Sequence, residues 1–590
     1  MIAQRHAPLT MQVNKDDLRE LLRVVIKCHK ALRKKKHQVE YAYSMTVREA
    51  QDLFPDLTEA SVQTELNNLF EKAFVPVDWK QLRKKYHKYL IRGKTLVDQK
   101  FDARGIVKLL KTRIVGLGFM QDRDNVGETS SPTISYSALL CRESIALHRG
   151  EDSITSDVSA AYLNALQPDV DAPIYLMLDK STSAAALKLR PELKDFVDEN
   201  KQLVGILRYA LYGTLAAGYL WYTTLTAALI ERGYVANEWE PCLFNREEGG
   251  IQVSVAIFVD DQMWWSMNIQ LARDDIAFLN TRFGVTKPLK VQDAKISDYL
   301  GLLWDRSVKG ETRITCPKQI KELLELVKVE GTKSTPGIEK MLEVDESSIP
   351  LTEAERKVFT SVVMKALYIA KHVRGDILVA VSFLSRRMTK ATKEDQSKLE
   401  HLVQYISGTP DHCLLLKPGD SLKITAYCDA AYSNWGPDEK STSGCAIYIG
   451  DCGRGTHNGG CPIYIKCRKQ KCRSRSSAEA ELICLSDSGS QILWTRSFMI
   501  AQGIKEASNP ALVFEDNLSC IRQLEAGRAT GELTRHLRLR LFWLKEHIDS
   551  RELRLAHLPT DLMRADLLTK SVTGKQFLTL VSTIVHTKRT

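Results

Sequence analysis

The stretch Val253-Ser-Val-Ala-Ile-Phe-Val-Asp-Asp-Gln-Met-Trp-Trp265 places two runs rich in Val, Ile, Met and Trp on either side of Asp260 and Asp261. Runs of this composition are typical of strands, so the two carboxylates are expected at a tight connection between them. Adjacent acids repel each other and push one pKa upward unless a cation offsets the repulsion. Paired carboxylates that bind two Mg²⁺ ions are common in polynucleotide transfer. A plain surface turn is the alternative, because Asp-Asp also occurs at residues 16–17 and 274–275.

Length and composition restrict the class of protein. A chain of 590 residues predicts three to five structural units, and 44% apolar with 26% charged residues is typical of globular proteins. We expect no membrane span, because no run of 18 apolar residues occurs. Thirteen scattered cysteines favour a reducing compartment. The net charge of +11 includes dense basic clusters at residues 33–36, 83–85 and 466–475, which suggest a polyanionic partner, whereas any single run of this kind is more often a solvated surface.

The region before and around the hairpin predicts an α+β layout. We predict a helical, basic region over residues 1–90, with a helix capped by Ser44 or Thr46 and another over 59–72. Residues 154–164 read as a strand that carries Asp157 and breaks into a helix. The following elements are a mostly helical segment 207–233, the hairpin, a helix 271–283 and a strand 299–304. This order predicts an antiparallel sheet backed by helices, on which Asp157 and the hairpin acids converge if their strands are neighbours.

A second α/β unit follows a linker at 331–346 and a helical stretch at 351–408. Its predicted elements are strands 424–428, 444–450 and 462–466, a helix 478–502, a strand 511–514 and two more helices. Four acids occur in order along it. Asp429 is predicted to end the first strand, Glu481 to open the helix, Asp516 to follow the next strand and Asp566 to lie in a late helix.

Several motifs together resemble the Pol region of copia-type LTR retrotransposons. Asp157-Val-Ser-Ala-Ala-Tyr-Leu-Asn164 resembles the first palm motif of their reverse transcriptase, and Ala210-Leu-Tyr-Gly213 with Leu220-Trp-Tyr222 resembles the second. Phe258-Val-Asp-Asp261 resembles the YVDD box, with Phe in place of Tyr, and Tyr299-Leu-Gly301 resembles the primer grip. Cys428-Asp-Ala-Ala431, Lys440-Ser-Thr-Ser-Gly444 and Asp516-Asn517 resemble the family's RNase H pattern.

The resemblance implies a multidomain α+β fold: a right-hand polymerase with fingers, palm, thumb and an antiparallel palm sheet, followed by an α/β RNase H-like domain. The implied boundaries are a helical basic N-terminal region 1–90, reverse-transcriptase fingers and palm 91–330, a helical thumb or connection 331–418 and an RNase H-like domain 419–580. The chain departs from the family in the apolar segment 214–219 and in Val373-Arg-Gly-Asp376, where Arg-Pro-Asp is usual.

The resemblance also implies roles for particular residues. Asp157, Asp260 and Asp261 would be catalytic and bind two Mg²⁺, with Mn²⁺ as the alternative ion, and Val158 would add its backbone carbonyl. Tyr162 would exclude a ribose 2′-hydroxyl, a core aromatic being the alternative. Lys111 and Arg113 would bind the triphosphate, and Lys290 would protonate pyrophosphate unless it simply faces solvent. In the C-terminal α/β region, two further ions would be bound by Asp429, Glu481, Asp516 and Asp566, with Glu479 as the alternative to Glu481.

The implied activity is RNA-directed DNA polymerisation with fused ribonuclease H. The implied partners are an RNA template, a DNA primer, an RNA/DNA hybrid and dNTPs, and a homo- or hetero-oligomer is left open. The implied location is a cytoplasmic virus-like particle, with a nuclear stage also left open. The alternatives are a catalytically impaired or domesticated nucleic-acid-binding relic, which the segment 214–219 favours, and an active RNase H with a silent polymerase half.

Overall fold

The computed structural model describes residues 44–587 apart from 80–83, 102–106, 169–172, 286, 436–438, 451–459 and 528–534. The predictions for residues 1–43, including the basic cluster at 33–36, lie outside the described residues. The chain forms two compact units, one with residues up to Ser131 plus Ala160–Thr224 and the other with Pro132–Ser159 plus the residues from Leu225 onward. In the described part, no helix is both long and apolar enough to span a membrane.

The elements are numbered in chain order. The strands are β1 Ser44–Met45, β2 Phe74–Pro76, β3 Leu90–Phe101, β4 Val107–Gly116, β5 Asp152–Asp157, β6 Tyr175–Met177, β7 Val204–Leu207, β8 Val235–Asn237, β9 Glu240–Glu248, β10 Ile251–Phe258, β11 Asp261–Ser266, β12 Lys290–Gln292, β13 Ile296–Tyr299, β14 Leu302–Asp305, β15 Thr312–Thr315, β16 Leu414–Leu416, β17 Ile424–Trp435, β18 Lys440–Ile449, β19 Cys461–Lys469, β20 Ala511–Glu515 and β21 Leu553–His557. The helices are α1 Val47–Leu53, α2 Pro55–Asn68, α3 Tyr136–Arg149, α4 Lys180–Leu189, α5 Ala217–Glu231, α6 Ile269–Phe283, α7 Pro317–Leu326, α8 Glu353–His372, α9 Leu378–Arg387, α10 Lys393–Gly408, α11 Ser477–Ala501, α12 Leu518–Ala526, α13 Arg535–Asp549 and α14 Gly574–Val581.

The first unit is built on a six-stranded sheet in the order β1-β3-β6-β7-β2, with β4 paired to β3. Its core contains Leu66 from α2 together with Ile91 and Leu176 from the sheet, all almost fully buried. Thr46 caps α1 and forms a reciprocal capping box with Glu49, because each side chain accepts the backbone N–H of the other residue. The predicted capped helix is therefore confirmed, with Thr46 as the cap.

The second unit begins with a six-stranded antiparallel sheet in the order β12-β5-β11-β10-β9-β8, which we call the palm sheet. The predicted hairpin is present as β10 and β11, and the strand of Asp157 lies beside it as β5. Trp264 and Trp265 are both fully buried, so adjacent residues of β11 are covered on the two faces of the sheet. The prediction that a helix-backed antiparallel sheet holds these acids is confirmed, because α6 packs on β5 and β11.

The segment 207–233 is helical over Ala217–Glu231, so most of it is a helix as predicted, although the helix begins later than expected. Gly213 has a φ of 84°, which a right-handed helix cannot accommodate. Residues 299–304 are not one strand but the hairpin of β13 and β14, turned by Leu300 and Gly301 at φ 53° and 73°.

A second antiparallel sheet in the same unit has the order β13-β14-β15-β16, so a strand from beyond the helical stretch joins strands from before it. The helical stretch itself forms α8, α9 and α10. Between α8 and α9 the fully buried Arg374 pairs with Asp376 at 2.8 Å, and the Tyr405 hydroxyl donates to Asp376 at 2.6 Å. The buried charges are therefore paired and hydrogen-bonded, as burial requires.

The C-terminal α/β domain is a five-stranded sheet in the order β19-β18-β17-β20-β21, with β20 parallel to both of its neighbours. Helix α11 packs on β17 and β18. The predicted fold class is confirmed, since a helix-backed antiparallel sheet precedes an α/β domain. Two details were wrong or missing. Asp429 does not end its strand, because β17 continues through a bulge to Trp435, and β21 was not predicted.

Two candidate metal centres

The turn between β10 and β11 carries the first acids. Phe258 pairs with Asp261 across the hairpin, which leaves Val259 and Asp260 as the two turn residues. Val259 has a φ of 56°, in the left-handed region that a β-branched residue rarely adopts. Such strain is found where the surrounding structure holds the backbone in place, and functional sites often contain it. Asp261 lies directly opposite Asp157 in the neighbouring strand β5.

A buried chain of hydrogen bonds holds this turn against β5. The backbone N–H of Val158 and the Gln262 side-chain Nε2 both donate to the Asp260 carbonyl, at 3.0 and 2.9 Å. The Ser156 hydroxyl donates to Gln262 Oε1 at 2.6 Å, and Trp264 Nε1 donates to Ser156 Oγ at 2.9 Å. Each buried polar group of this set has a partner, so the set fixes the turn that carries Asp260 and Asp261.

Charge at this turn is unbalanced toward the acids. Burial raises the pKa of Asp261 to about 7, and the nearby Asp260 and Asp157 add to the rise. Lys290 opposes it, since its Nζ lies 2.5 Å from Asp157 Oδ2 and the two residues are register partners in β12 and β5. The lysine predicted as a proton donor therefore forms an ion pair with a predicted metal ligand.

The other residues predicted to bind nucleotide belong to different parts of the structure. Val158 is fully buried in the second unit. In the first unit, Arg113 forms an ion pair with Asp98, and Lys111 is an exposed residue of β4. Tyr162 is half-buried in the 3₁₀ turn Ala161–Asn164 and packs edge-on against Tyr212, with 4.8 Å between ring centroids. Their predicted roles toward a nucleotide remain predictions.

The C-terminal domain brings three predicted acids closely together. Asp429, Glu481 and Asp516 each offer a carboxylate oxygen, and these oxygens lie within 4.8 Å of one another. Among the residues that the structure describes, this is the one group of three or more potential ligands that meets this distance. The palm acids Asp157, Asp260 and Asp261 do not meet it. Glu479 is also outside it, since it lies in the first turn of α11 and accepts the backbone N–H of Arg475.

The fourth predicted acid, Asp566, joins this group through a lysine. It lies in the 3₁₀ turn Arg564–Leu568 rather than in the expected late helix. Lys570 Nζ lies 2.6 Å from Asp566 Oδ1 and 3.4 Å from Asp429 Oδ1, and the Thr569 hydroxyl donates to Asp429 Oδ2. Gly444 allows this approach, because a Cβ there would lie 2.6 Å from Thr569 Cγ2.

Burial dominates the electrostatics of the C-terminal acids. It raises the pKa of Glu481 to about 12, with Glu515 and Asp429 adding to the rise. It also raises the pKa of Asp429, and it raises that of Asp566 to about 7. Lys570 partly offsets both of the latter rises. The buried Glu481 Oε2 has no hydrogen-bond partner among the described residues. An oxygen-only donor set with an unpartnered buried carboxylate oxygen fits a hard divalent cation.

Three residues of these sites were not assigned a role from the sequence. Gln262 is a polar residue within an otherwise apolar strand, a signal that could have identified it. Lys570 follows Asp566 by one helical turn, a spacing that predicts an ion pair. Glu515 is fully buried beside Asp516, and nothing in its local sequence distinguishes it from a solvent-exposed acid.

Comparison with known proteins supports the motif analysis. Residues 79–336 match the family described as "Reverse transcriptase (RNA-dependent DNA polymerase)". The chain is 26% identical over 506 residues to the "Retrovirus-related Pol polyprotein from transposon RE1" of Arabidopsis thaliana, covering 85% of this chain and 32% of that protein. It is 24% identical over 478 residues to the corresponding polyprotein from transposon TNT 1-94 of Nicotiana tabacum, covering 79% and 33% respectively.

This chain therefore spans about a third of the length of those two polyproteins. A solved structure of a foamy viral protease-reverse transcriptase in complex with RNA/DNA hybrid is 11% identical over 76% of this chain and 49% of that one, with a TM-score of 0.42. The family prediction rests on the sequence matches. They confirm it: the chain carries a reverse-transcriptase region of the copia type.

Proposed function

We propose that the chain is an RNA-directed DNA polymerase with a fused ribonuclease H, and that each activity uses one of the two acid sites. The observation that carries the proposal is the presence of two separate carboxylate sites, one on the palm turn and one in the C-terminal domain. A single acid cluster would suit many reactions. Two such sites in one chain suit a protein that both builds and cuts polynucleotides.

In the C-terminal domain, Asp429, Glu481 and Asp516 would bind a divalent cation, which supplies Lewis-acid chemistry and an activated water when bound. Thr569 and Lys570 orient Asp429, because they contact its two carboxylate oxygens separately. The Thr560 hydroxyl orients Asp516 by donating a hydrogen bond to its Oδ2 at 2.7 Å. The acids are thereby held in place before any substrate arrives, as a preorganised site requires.

On the palm sheet, Asp157, Asp260 and Asp261 would bind the cations of nucleotidyl transfer, whose chemistry is to activate the primer hydroxyl and stabilise charge on the phosphate. The chain's own contribution is the rigid turn, which the buried Ser156, Gln262 and Trp264 hold against β5.

A nucleic-acid partner is supported by basic residues on β19. Lys466, Arg468 and Lys469 lie on this edge strand, opposite Cys445, Ser443 and Thr442 of β18. Lys466 and Arg468 are two positions apart and so share one face of the strand. Basic side chains on one face can contact phosphates without reading sequence, which suits a hybrid of any sequence. The proposed substrates are an RNA template with a DNA primer and dNTPs for one site, and an RNA/DNA hybrid for the other.

One observation favours a second candidate function, an RNase H whose polymerase half is only a scaffold. The C-terminal acids bring their oxygens within 4.8 Å of one another, whereas in the described residues the palm acids do not, and Asp157 is paired with Lys290. The apolar segment 214–219 also departs from the family, and Thr214 and Ala217 within it are buried.

Two assays on the same preparation separate these functions. Primer extension on an RNA template with Mg²⁺ compares wild type, Asp260→Asn and the control Asp274→Asn, which changes an exposed acid of α6. Cleavage of a labelled RNA/DNA hybrid compares wild type, Asp516→Asn and the exposed control Asp561→Asn. We expect each site variant to lose its own activity at least about a hundredfold, because metal ligation supplies several kcal/mol of transition-state stabilisation.

The outcomes are distinct. Cleavage without extension by the wild type supports the scaffold function and contradicts the first proposal. A wild type that performs neither reaction contradicts both and leaves a nucleic-acid-binding protein. Equal losses in the site and control variants would show that the substitutions act through folding.

A further inference from the structure

Glu515, the last residue of β20, places a fifth carboxyl group beside the C-terminal acids. It is fully buried, and it immediately precedes the predicted ligand Asp516. Its Oε1 accepts the backbone N–H of Asn517 at 3.1 Å, which fixes the orientation of the carboxyl group. Its Oε2 has no hydrogen-bond partner among the described residues. One oxygen of this carboxyl group is therefore hydrogen-bonded, and the other has no partner among the described residues.

Glu481 is in a matching situation. It is 97% buried, since 3% of its surface is exposed, and its Oε2 also has no partner in the described part of the chain. Glu515 is the charged neighbour that raises its pKa most, followed by Asp429. The strongest neighbours of both carboxyl groups are acids, thiols and backbone N–H groups rather than basic side chains. Buried carboxylates of this kind are costly unless they bind a cation.

We infer that Glu515 is a positioning residue of the cation site formed by Asp429, Glu481 and Asp516, and that it strengthens binding of a divalent cation there. The inference rests on the proposed function of that site. Glu515 is not in the group whose oxygens lie within 4.8 Å of one another, so it acts as an outer carboxylate beside Asp516 rather than as one of the three close ligands. Outer residues of this type typically change metal affinity about 10- to 100-fold when they are replaced.

A purely structural role makes the opposite prediction for stability. If Glu515 served only to hold β20 through Asn517, its replacement would lower the stability of the protein with or without metal. If Glu515 serves cation binding, it lowers the stability of the metal-free protein, because it adds a buried acid to an acidic cluster. Replacement by Gln would then raise stability in EDTA and reduce the gain that a cation brings.

The test uses Mn²⁺ as the probe and the full chain. Asp260→Asn and Asp261→Asn are present in every sample, so that the palm sheet does not contribute. Isothermal titration gives the Mn²⁺ affinity, and melting temperatures are measured in EDTA and in excess Mn²⁺. Glu515→Gln is compared with the unsubstituted background, with Glu515→Asp as the charge-conserving variant and with Glu479→Gln as the matched control. Asp516→Asn identifies the binding that belongs to the C-terminal site.

We expect Glu515→Gln to weaken Mn²⁺ binding about 10- to 100-fold and to raise the melting temperature in EDTA, while Glu479→Gln does neither. Glu515→Asp should recover part of the affinity. Unchanged affinity in Glu515→Gln, or a lower melting temperature in EDTA, overturns the inference. If Asp516→Asn does not change Mn²⁺ binding, the proposed function of the site fails, and this inference fails with it. If only Glu515→Gln has no effect, the proposed function stands.

Discussion

Asp157 and Asp261 face each other directly across the antiparallel strands β5 and β11, and Lys290 faces Asp157 from β12 on the other side. Asp157, at the end of β5, thus has the carboxylate of Asp261 as one neighbour and the ammonium group of Lys290 as the other. Lys290 therefore offsets part of the repulsion between Asp157 and Asp261. Burial and the two other acids raise the pKa of Asp261 to about 7, and Lys290 opposes the rise.

Replacing Asp261 with Asn should change how the stability of the metal-free protein depends on pH. The raised pKa means that the folded chain holds a proton at a pH where the unfolded chain, with an aspartate pKa of about 3.9, has released it. Asp261 therefore lowers stability progressively as the pH rises from about 4 to about 7. The measurement is the free energy of unfolding in urea with EDTA at a series of pH values. We expect Asp261→Asn to make its decline with pH less steep, by no more than the slope that one bound proton contributes. The exposed control Asp274→Asn should leave the slope unchanged. Equal slopes in all three proteins would contradict the environment assigned to Asp261.

Replacing Lys290 with Met should shift the pH dependence of cation binding at the palm sheet upward. The ammonium group lies 2.5 Å from Asp157 Oδ2 and holds the pKa of Asp261 down, so its loss makes Asp261 harder to ionise. Since cations bind the ionised form of Asp261, Mn²⁺ binding should reach its midpoint at a pH a few tenths of a unit higher, as an exposed ion pair permits. Lys290→Arg keeps the charge and is the control. Titrations with Asp516→Asn in the background, from pH 5.5 to 8.5, measure the shift, and a downward shift in Lys290→Met would refute this role.

The palm hairpin was predictable because its signal is local. Strand-forming runs flank a two-residue turn, and the pairs between β10 and β11, from Phe258–Asp261 to Val253–Ser266, all lie within this one short stretch. Asp429 was misplaced. The predicted strand stopped at Asp429, yet β17 continues past a register shift to Trp435, which pairs with Lys440 of β18. Strand β21 depends on a distant parallel neighbour, β20, and its short sequence carries no sufficient signal alone.

The same distinction applies to the two sites. Their acids could be proposed from motif resemblance, because each motif keeps its residues together in the sequence. The residues that orient these acids come from elsewhere: Thr569 reaches Asp429 from 140 positions away. Whether Glu515 is buried depends on how α11 and β20 pack, and no pattern within residues 511–517 determines this.

Replacing Val259 with Gly should stabilise the chain and slow polymerisation. Val259 has a φ of 56°, a conformation that costs about 1–2 kcal/mol for an L-residue with a Cβ. Glycine removes this cost but adds about 0.5–1 kcal/mol of backbone entropy, so the free energy of unfolding should rise by up to about 1.5 kcal/mol. The looser turn should lower the rate of primer extension several-fold. Val259→Ala keeps the Cβ and should show no gain in stability. Urea unfolding and extension assays measure both effects, and a less stable Val259→Gly variant would mean that the turn is not strained.

Replacing Gly375 with Ala should destabilise the second unit. Gly375 lies between Arg374 and Asp376 in the family motif that departs from Arg-Pro-Asp, and a Cβ there would lie 2.7 Å from Ile584 Cγ2 and 2.9 Å from Ile465 Cδ1. The buried ion pair on either side limits how far the backbone can shift, so overpacking should cost about 1–3 kcal/mol. Gly127→Ala is the control, because no heavy atom lies within 4 Å of its added Cβ.

We expect the loss at Gly375 to appear as a lower urea midpoint, together with faster amide exchange in β19 and near the C-terminus, where Ile465 and Ile584 lie. Hybrid cleavage should be lost at a lower temperature than in the wild type, while the rate at low temperature stays unchanged, because Gly375 is not among the residues that orient Asp429 or Asp516. Equal urea midpoints for Gly375→Ala and Gly127→Ala would show that Ile465 and Ile584 can shift to make room for the added Cβ. Glycine would then not be needed at position 375 for close packing.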